Sequence, residues 1–195
     1  MKSANISMLH AAFERSAILT MNEMRSLFEG TAMRSIIRYL NEIGYYASYN
    51  FKGMYYTLAH ILKFDRFGLW RYKEALFSSN GSLKDTICFL VSGADAGLTS
   101  DELSSMLHIS AKNALTELSA AGTVSRSKSQ GVYVYYSANP DTKVQQEVIR
   151  QEHIGDAASG AVIDPYDAVE VLVGYAHRFL SQNGSHRSGK TEPWQ

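Results

Sequence analysis

The chain of 195 residues has a single cysteine, Cys88. An internal disulfide and a multi-cysteine metal site are thereby excluded. Cys88 lies in the apolar run Ile87-Cys88-Phe89-Leu90-Val91 and is expected as a small core residue, not a nucleophile. Long apolar runs are missing as well: none approaches the ~18 residues that a membrane span needs. No apolar stretch separates Lys2 from Glu14 and Arg15, so a signal peptide is not expected. These absences set the expectation of a soluble, cytoplasmic protein.

Constellations for catalysis are equally scarce. Among His10, His60, His108, His153, His177 and His186 no pair has a metal-ligand spacing such as H-x-x-x-H, and no carboxylate cluster accompanies them. No serine sits on a strand-to-helix elbow. The spacing G-x-x-x-x-G-K-T is met by Gly184-Ser185-His186-Arg187-Ser188-Gly189-Lys190-Thr191. Yet no strand precedes it, and no helix is expected to follow into Glu192-Pro193-Trp194-Gln195, so the backbone cradle for a phosphate is not expected. Neither an enzyme nor a bound cofactor or metal is expected.

Net charge is missing too, with 19 Lys/Arg against 19 Asp/Glu. The distribution is uneven. Residues 1–80 hold 10 cations and 6 acids, residues 81–140 hold 4 and 5, and residues 141–195 hold 5 and 8. A polyanion would meet the front of the chain.

What is present is a repeat. Met33, Ile36, Ile37 and Leu40 fall at i, i+3, i+4 and i+7, one face of a helix. Gly44 can end that helix in a left-handed conformation. Tyr45–Tyr49 and Met54–Leu58 suit two strands, with Gly53 in the turn. Upstream, Thr20-Met21-Asn22-Glu23 is a capping box that opens a helix whose apolar face is Met24, Leu27 and Phe28. A further helix is expected over residues 8–19, packing Ala12, Phe13, Ala17 and Ile18. A shift of 78 maps Leu40 to Leu118, Gly44 to Gly122, Gly53 to Gly131 and Tyr55 to Tyr133. A shift of 79 maps Thr20 to Thr99, Glu23 to Glu102, Met24 to Leu103 and Phe28 to Leu107. The second copy starts at the turn Ser79-Asn80-Gly81-Ser82 with a helix over 83–91. It ends in a hairpin of residues 123–129 and 132–138 with Gln130-Gly131 at its tip.

Two copies of helix, helix, helix and hairpin, over about 8–58 and 82–138, resemble tandem winged-helix domains, a mainly α, α+β fold. The expected division is 1–58, a packed segment 59–81, 82–140, a helical extension 141–182 and a disordered tail 183–195. The segment 59–81 is too apolar for a loose linker, and a short strand is expected from Leu69 to Phe77. Trp70 in it suits either a core anchor or a base stack. Thr142–Glu152 reads as a polar helix and 153–162 as a linker. Asp164-Pro165-Tyr166-Asp167 then starts a helix with the apolar stripe Val169, Leu172, Val173, Ala176, Phe179 and Leu180. That helix, over 165–182, is expected to dock on its own domains, pair with a second copy, or hold a protein partner.

The resemblance implies binding of double-stranded DNA by the third helix of each copy, as a transcription regulator or accessory factor. The stretch from Thr31 to Leu58 is also similar to short bacterial proteins that accompany mobile elements, which implies no activity. In the first copy the outward residues are Thr31, Arg34, Ser35, Arg38 and Asn41, with Lys52 at the hairpin tip, and Arg15 and Arg25 could reach the DNA backbone. In the second they are Ser110, Lys112, Asn113, Thr116 and Glu117, with Arg126, Lys128 and Gln130 on the hairpin. His108 precedes that helix as a surface residue. An alternative stays open: tandem winged-helix chains similar to the accessory subunits of chromosome-organising machines use the same faces for protein.

Overall fold

Both expected capping boxes form, and they organise the two halves. In a computed structural model, which describes residues 2–28 and 30–158, the Thr20 side chain accepts from the Glu23 amide while Glu23 returns to the Thr20 amide at 2.6 Å. Thr99 and Glu102 do the same, also at 2.6 Å. Each box satisfies orphan donors at a helix start.

Around the boxes the element order repeats. The first half runs α1 (Lys2–Arg15), β1 (Leu19–Thr20), α2 (Met21–Ser26), α3 (Met33–Ile43), β2 (Tyr45–Ala47) and β3 (Tyr55–Leu58). A linking hairpin follows, β4 (Leu69–Tyr72) and β5 (Ala75–Ser78). The second half runs α4 (Leu83–Gly93), β6 (Leu98–Thr99), α5 (Ser100–Leu107), α6 (Lys112–Ala120), β7 (Val124–Ser129) and β8 (Val132–Ser137), and α7 (Pro140–Ala158) closes the described chain. The fold is α+β, with small antiparallel sheets in the orders β1-β3-β2, β4-β5 and β6-β8-β7.

Each half has its own apolar cluster. In the first, Leu9, Ala12 and Phe13 of α1 meet Met24, Phe28, Ile36, Tyr39, Leu40 and Leu58. In the second, Ile87, Leu90 and Val91 of α4 meet Leu103, Leu107, Ala111, Ala114, Leu115, Leu118, Val124 and Tyr135. Cys88 packs against this second cluster, and burial pushes its thiol up, away from the reactive thiolate. Gly97 stands where φ is +65° and an added Cβ would lie 2.6 Å from the Tyr136 ring, so β6 approaches β8 only with glycine there.

Several expectations are corrected. Met33 is half exposed, because the buried face of α3 is Ile36, Tyr39 and Leu40, turned toward Tyr39 and away from Met33. Ala17 and Ile18 lie beyond the end of α1, in the turn into β1, a strand that helical spacing could not reveal. The segment 59–81 holds two paired strands, since Lys73 turns the chain at φ +53°. Helix α7 continues through 153–158, where a linker was expected. The helix expected over 165–182, the tail 183–195 and the run from Gly184 to Thr191 lie outside the described residues.

The halves are tied by the end of β2. After Ser48, whose amide still donates to the Tyr55 carbonyl of β3, the chain turns to β5: the Tyr49 amide donates to the Leu76 carbonyl at 2.8 Å. The buried Asn50 side chain then acts as a substitute peptide group. It donates to the Glu74 carbonyl at 2.6 Å and accepts from the Leu76 amide at 3.1 Å. The Tyr49 hydroxyl reaches into the second half and donates to the Leu107 carbonyl at 2.9 Å. Burial, with Asp65 nearby, pushes that hydroxyl up to about 12.

A second tie holds α7. Gln146, 2% exposed, donates to the Val91 and Ala94 carbonyls at 2.8 and 2.6 Å and accepts from the Ser137 amide at 2.9 Å. Gln146→Ala would strand those buried groups and is expected to lower unfolding free energy by roughly 2–4 kcal/mol in urea denaturation. The raised Tyr49 value gives a pH signature. Its neutral hydroxyl contributes fully below the unfolded value of 10.0, and the contribution is lost as pH climbs toward about 12. The stability gap between wild type and Tyr49→Phe should therefore narrow across that window; a constant gap would contradict the buried bond.

Candidate nucleic-acid interface

Burial of Ile36, Tyr39 and Leu40 turns the opposite side of α3 to solvent. Arg34, Arg38 and Asn41 are exposed there, while Thr31 and Ser35 are half-buried. Arg38 lies over the Tyr39 ring at 5.9 Å, so its guanidinium is steered by its own helix. In α6 the burial of Ala111, Ala114, Leu115 and Leu118 leaves Ser110, Lys112, Asn113, Thr116 and Glu117 exposed, as the spacing requires. Thr116 back-bonds to the Lys112 carbonyl at 3.0 Å, and Glu117 pairs with Lys84 of α4 at 2.6 Å. His108 is exposed and ends α5 in a left-handed conformation.

The helix starts differ in an informative way. Helices α2, α4 and α5 carry side-chain caps from Thr20, Ser82 and Thr99. Helices α3 and α6 do not: alanine occupies the cap position of each, Ala32 and Ala111. These alanines correspond at the shift of 79. Uncapped first-turn amides beside an exposed cation suit an anionic oxygen.

The hairpins bring up further cations. Arg126 and Lys128 are exposed on alternate residues of β7, and Arg126 stacks over Tyr133 at 4.9 Å. The intervening Ser127 points the other way, to Glu147 of α7 at 3.0 Å. The tip Gln130-Gly131 has φ of +47° and +85°, the two-residue left-handed turn that matches strand twist. In the first half Lys52-Gly53 corresponds, at +56° and +72°, within a 3-10 turn over Phe51–Gly53 where the turn is expected, and the flanking strands are shorter than expected, Tyr45–Ala47 and Tyr55–Leu58.

Ion pairing divides the cations. Lys2, Lys84, Lys143 and Arg150 pair with carboxylates. Arg34, Arg38, Lys52, Lys112, Arg126 and Lys128 make no ion pair among the described residues. Arg15 donates to the Ala11 carbonyl, and Arg25 is exposed. Trp70 stacks on Tyr72 at 5.3 Å and meets the Phe77 ring tilted at 5.4 Å, which employs its ring within the linking hairpin.

An open cleft of about 420 Å³, not anticipated from the sequence, is lined by Arg15, Glu23, Tyr55, Tyr72, Lys73 and Glu74. Its carboxylates are already engaged. Thr20 holds Glu23 and lowers its pKa, and the Tyr55 hydroxyl donates to Glu74 at 2.7 Å and lowers that one. Among the described residues no group of three His, Cys, Asp or Glu could hold a metal ion, and no helix is long and apolar enough to cross a membrane. Comparison with family models, with curated proteins and with solved structures returns no match.

The left-handed turn of the second hairpin generates a check. Glutamine tolerates that conformation poorly, and asparagine tolerates it well. Gln130→Asn is expected to raise stability by about 0.5–1 kcal/mol, read as a higher thermal midpoint.

Proposed function

We propose that the two halves are winged-helix domains and that the chain binds double-stranded DNA without catalysis, as a transcription regulator or mobile-element accessory factor. The repeated order of helix, strand, helix, helix and hairpin, with the first strand beside the third, supports the domain reading. The observation that supports the DNA reading is that Arg34 and Arg38 are exposed on the outward face of α3 and make no ion pair among the described residues. In that fold this face enters the major groove, where arginine bonds guanine or phosphate. The hairpins add Lys52, Arg126 and Lys128 to flanking phosphates. Lys112, Asn113 and Thr116 form a weaker second reader, with fewer cations to neutralise phosphate.

An adaptor role for the second half is favoured by Val144 and Val148, one turn apart on α7 and 59% and 50% exposed. An apolar protein interface of that kind changes little with salt, whereas phosphate contacts weaken steeply.

Titration into a labelled random-sequence duplex, read by anisotropy at low and moderate salt, separates the two. Wild type should bind with a steep salt dependence. The Arg34→Ala/Arg38→Ala variant should lose affinity and flatten the log–log salt slope by about 2. Arg38→Ala alone should cost about 1–3 kcal/mol on a cognate site if it bonds a base. Absence of binding at low salt would sink the DNA reading.

A further inference from the structure

We infer that the tip of the first hairpin is a wedge that enters the minor groove of duplex DNA and unstacks a base step with Phe51. The inference rests on the DNA reading above and assigns the tip a task beyond phosphate contact.

Phe51 is 55% exposed and Met54 44% exposed, and they flank the exposed Lys52. Such side chains are usually withdrawn from water when the chain is free to do so. Here it is not free. Phe51, Lys52 and Gly53 take successive φ values of +47°, +56° and +72°, a left-handed run that non-glycine residues avoid. The base of the turn imposes it. The Asn50 carbonyl accepts from the Ser48 hydroxyl and the Gly53 amide, both at 3.0 Å, while the Asn50 side chain is clamped to Glu74 and Leu76. Tyr55 braces the Phe51 ring edge-on, with centroids 6.0 Å apart. The result is an aromatic ring held out in water on an unfavourable backbone, and no packing in the described residues explains it.

The neighbouring charges choose the partner. Lys52 follows the ring in the chain, Arg71 and Lys73 are exposed on the adjoining hairpin, and the two carboxylates beside Tyr55, Glu23 and Glu74, are engaged by Thr20 and Tyr55. The second hairpin repeats part of the combination, with Ser129 at the position of Phe51 under the shift of 78. Val132, at the position of Met54 under the shift of 78, is 53% exposed beside Tyr133, Arg126 and Lys128. An apolar wedge set among cations matches a base step between two phosphate rows better than it matches an apolar protein groove.

The test uses the full chain and a duplex rich in T-A steps, with 2-aminopurine replacing one adenine and a donor and acceptor dye at its ends. Anisotropy reports binding, 2-aminopurine fluorescence reports unstacking, and energy transfer reports bending. At saturating protein, wild type should raise the fluorescence and shorten the end-to-end distance. Phe51→Ala should lose both responses and Phe51→Trp should keep them, with thermal melts confirming that each variant is folded. Lys52→Ala should weaken binding yet keep both responses at saturation. Binding by wild type without a fluorescence rise, or equal responses from wild type and Phe51→Ala, would overturn the wedge and leave the DNA reading standing. No anisotropy change at low salt would overturn both and turn attention to a protein occupant of the tip.

Discussion

The position of everything else depends on one residue pair, Tyr49-Asn50. Between them they use an amide, a side-chain amide and a phenol to join the first hairpin to β5 and to α5. Leu69 of the linking hairpin is meanwhile buried in the second apolar cluster. The first hairpin is therefore fixed at its base to the linking hairpin, and the linking hairpin to the second half. A buried side-chain amide is costly when unpaired, but here both its donor and its acceptor reach backbone partners. A hairpin anchored in this way keeps a strained tip from relaxing, which a free wing could not do.

That anchor also gives meaning to the left-handed residues. Lys52-Gly53 and Gln130-Gly131 occupy the same place in the two copies, and the non-glycine member of each pair costs about 1–2 kcal/mol relative to glycine. In the second hairpin the turn needs two such residues to match the strand twist, and long paired strands on either side compensate. In the first, β2 pairs over only three residues, so the strain is borne by the Asn50 clamp instead. One turn geometry is thus held by two different devices.

Much of this was legible in the sequence, for local reasons. Capping boxes depend on two residues three apart. Turn glycines depend on one. The buried face of α6 depends on spacing alone, and Ala111, Ala114, Leu115 and Leu118 are buried as read. What failed depended on residues far away in the chain. Met33 is left at the edge because the buried face of α3 turns toward Tyr39, whose hydroxyl accepts from Asn5 of α1. Gln146 looks like any polar helix residue until Val91, Ala94 and Ser137 surround it. Strands β1 and β6 are two residues long and leave no periodicity, although the dipeptide Leu-Thr before both capping boxes was a signal within the repeat. The outward arginines of α3 were found because exposure follows from the buried face. Their task did not follow, since an exposed arginine has the same spacing whether it meets phosphate, protein or water.

Electrostatics narrows that choice. A solvated face in a chain of zero net charge tends to intersperse its signs, and α4, α7 and the start of α1 do so, pairing Lys84, Lys143, Arg150 and Lys2 with acids. Arg34, Arg38, Lys52, Arg126 and Lys128 pair with no acid among the described residues, although Glu42, one turn from Arg38 on α3, is exposed and bonded to Lys2. Such pairs contribute little to stability, so their absence costs the fold almost nothing. What it leaves is a set of cations without a carboxylate partner among the described residues. The starts of α3 and α6 differ too: alanine at the cap forgoes a modest stabilisation, while the Ser35 amide donates to the Ala32 carbonyl and the Ala111 amide to the Ser104 hydroxyl. Both are departures from a local optimum, and they coincide on α3, whose counterpart in the repeat is α6.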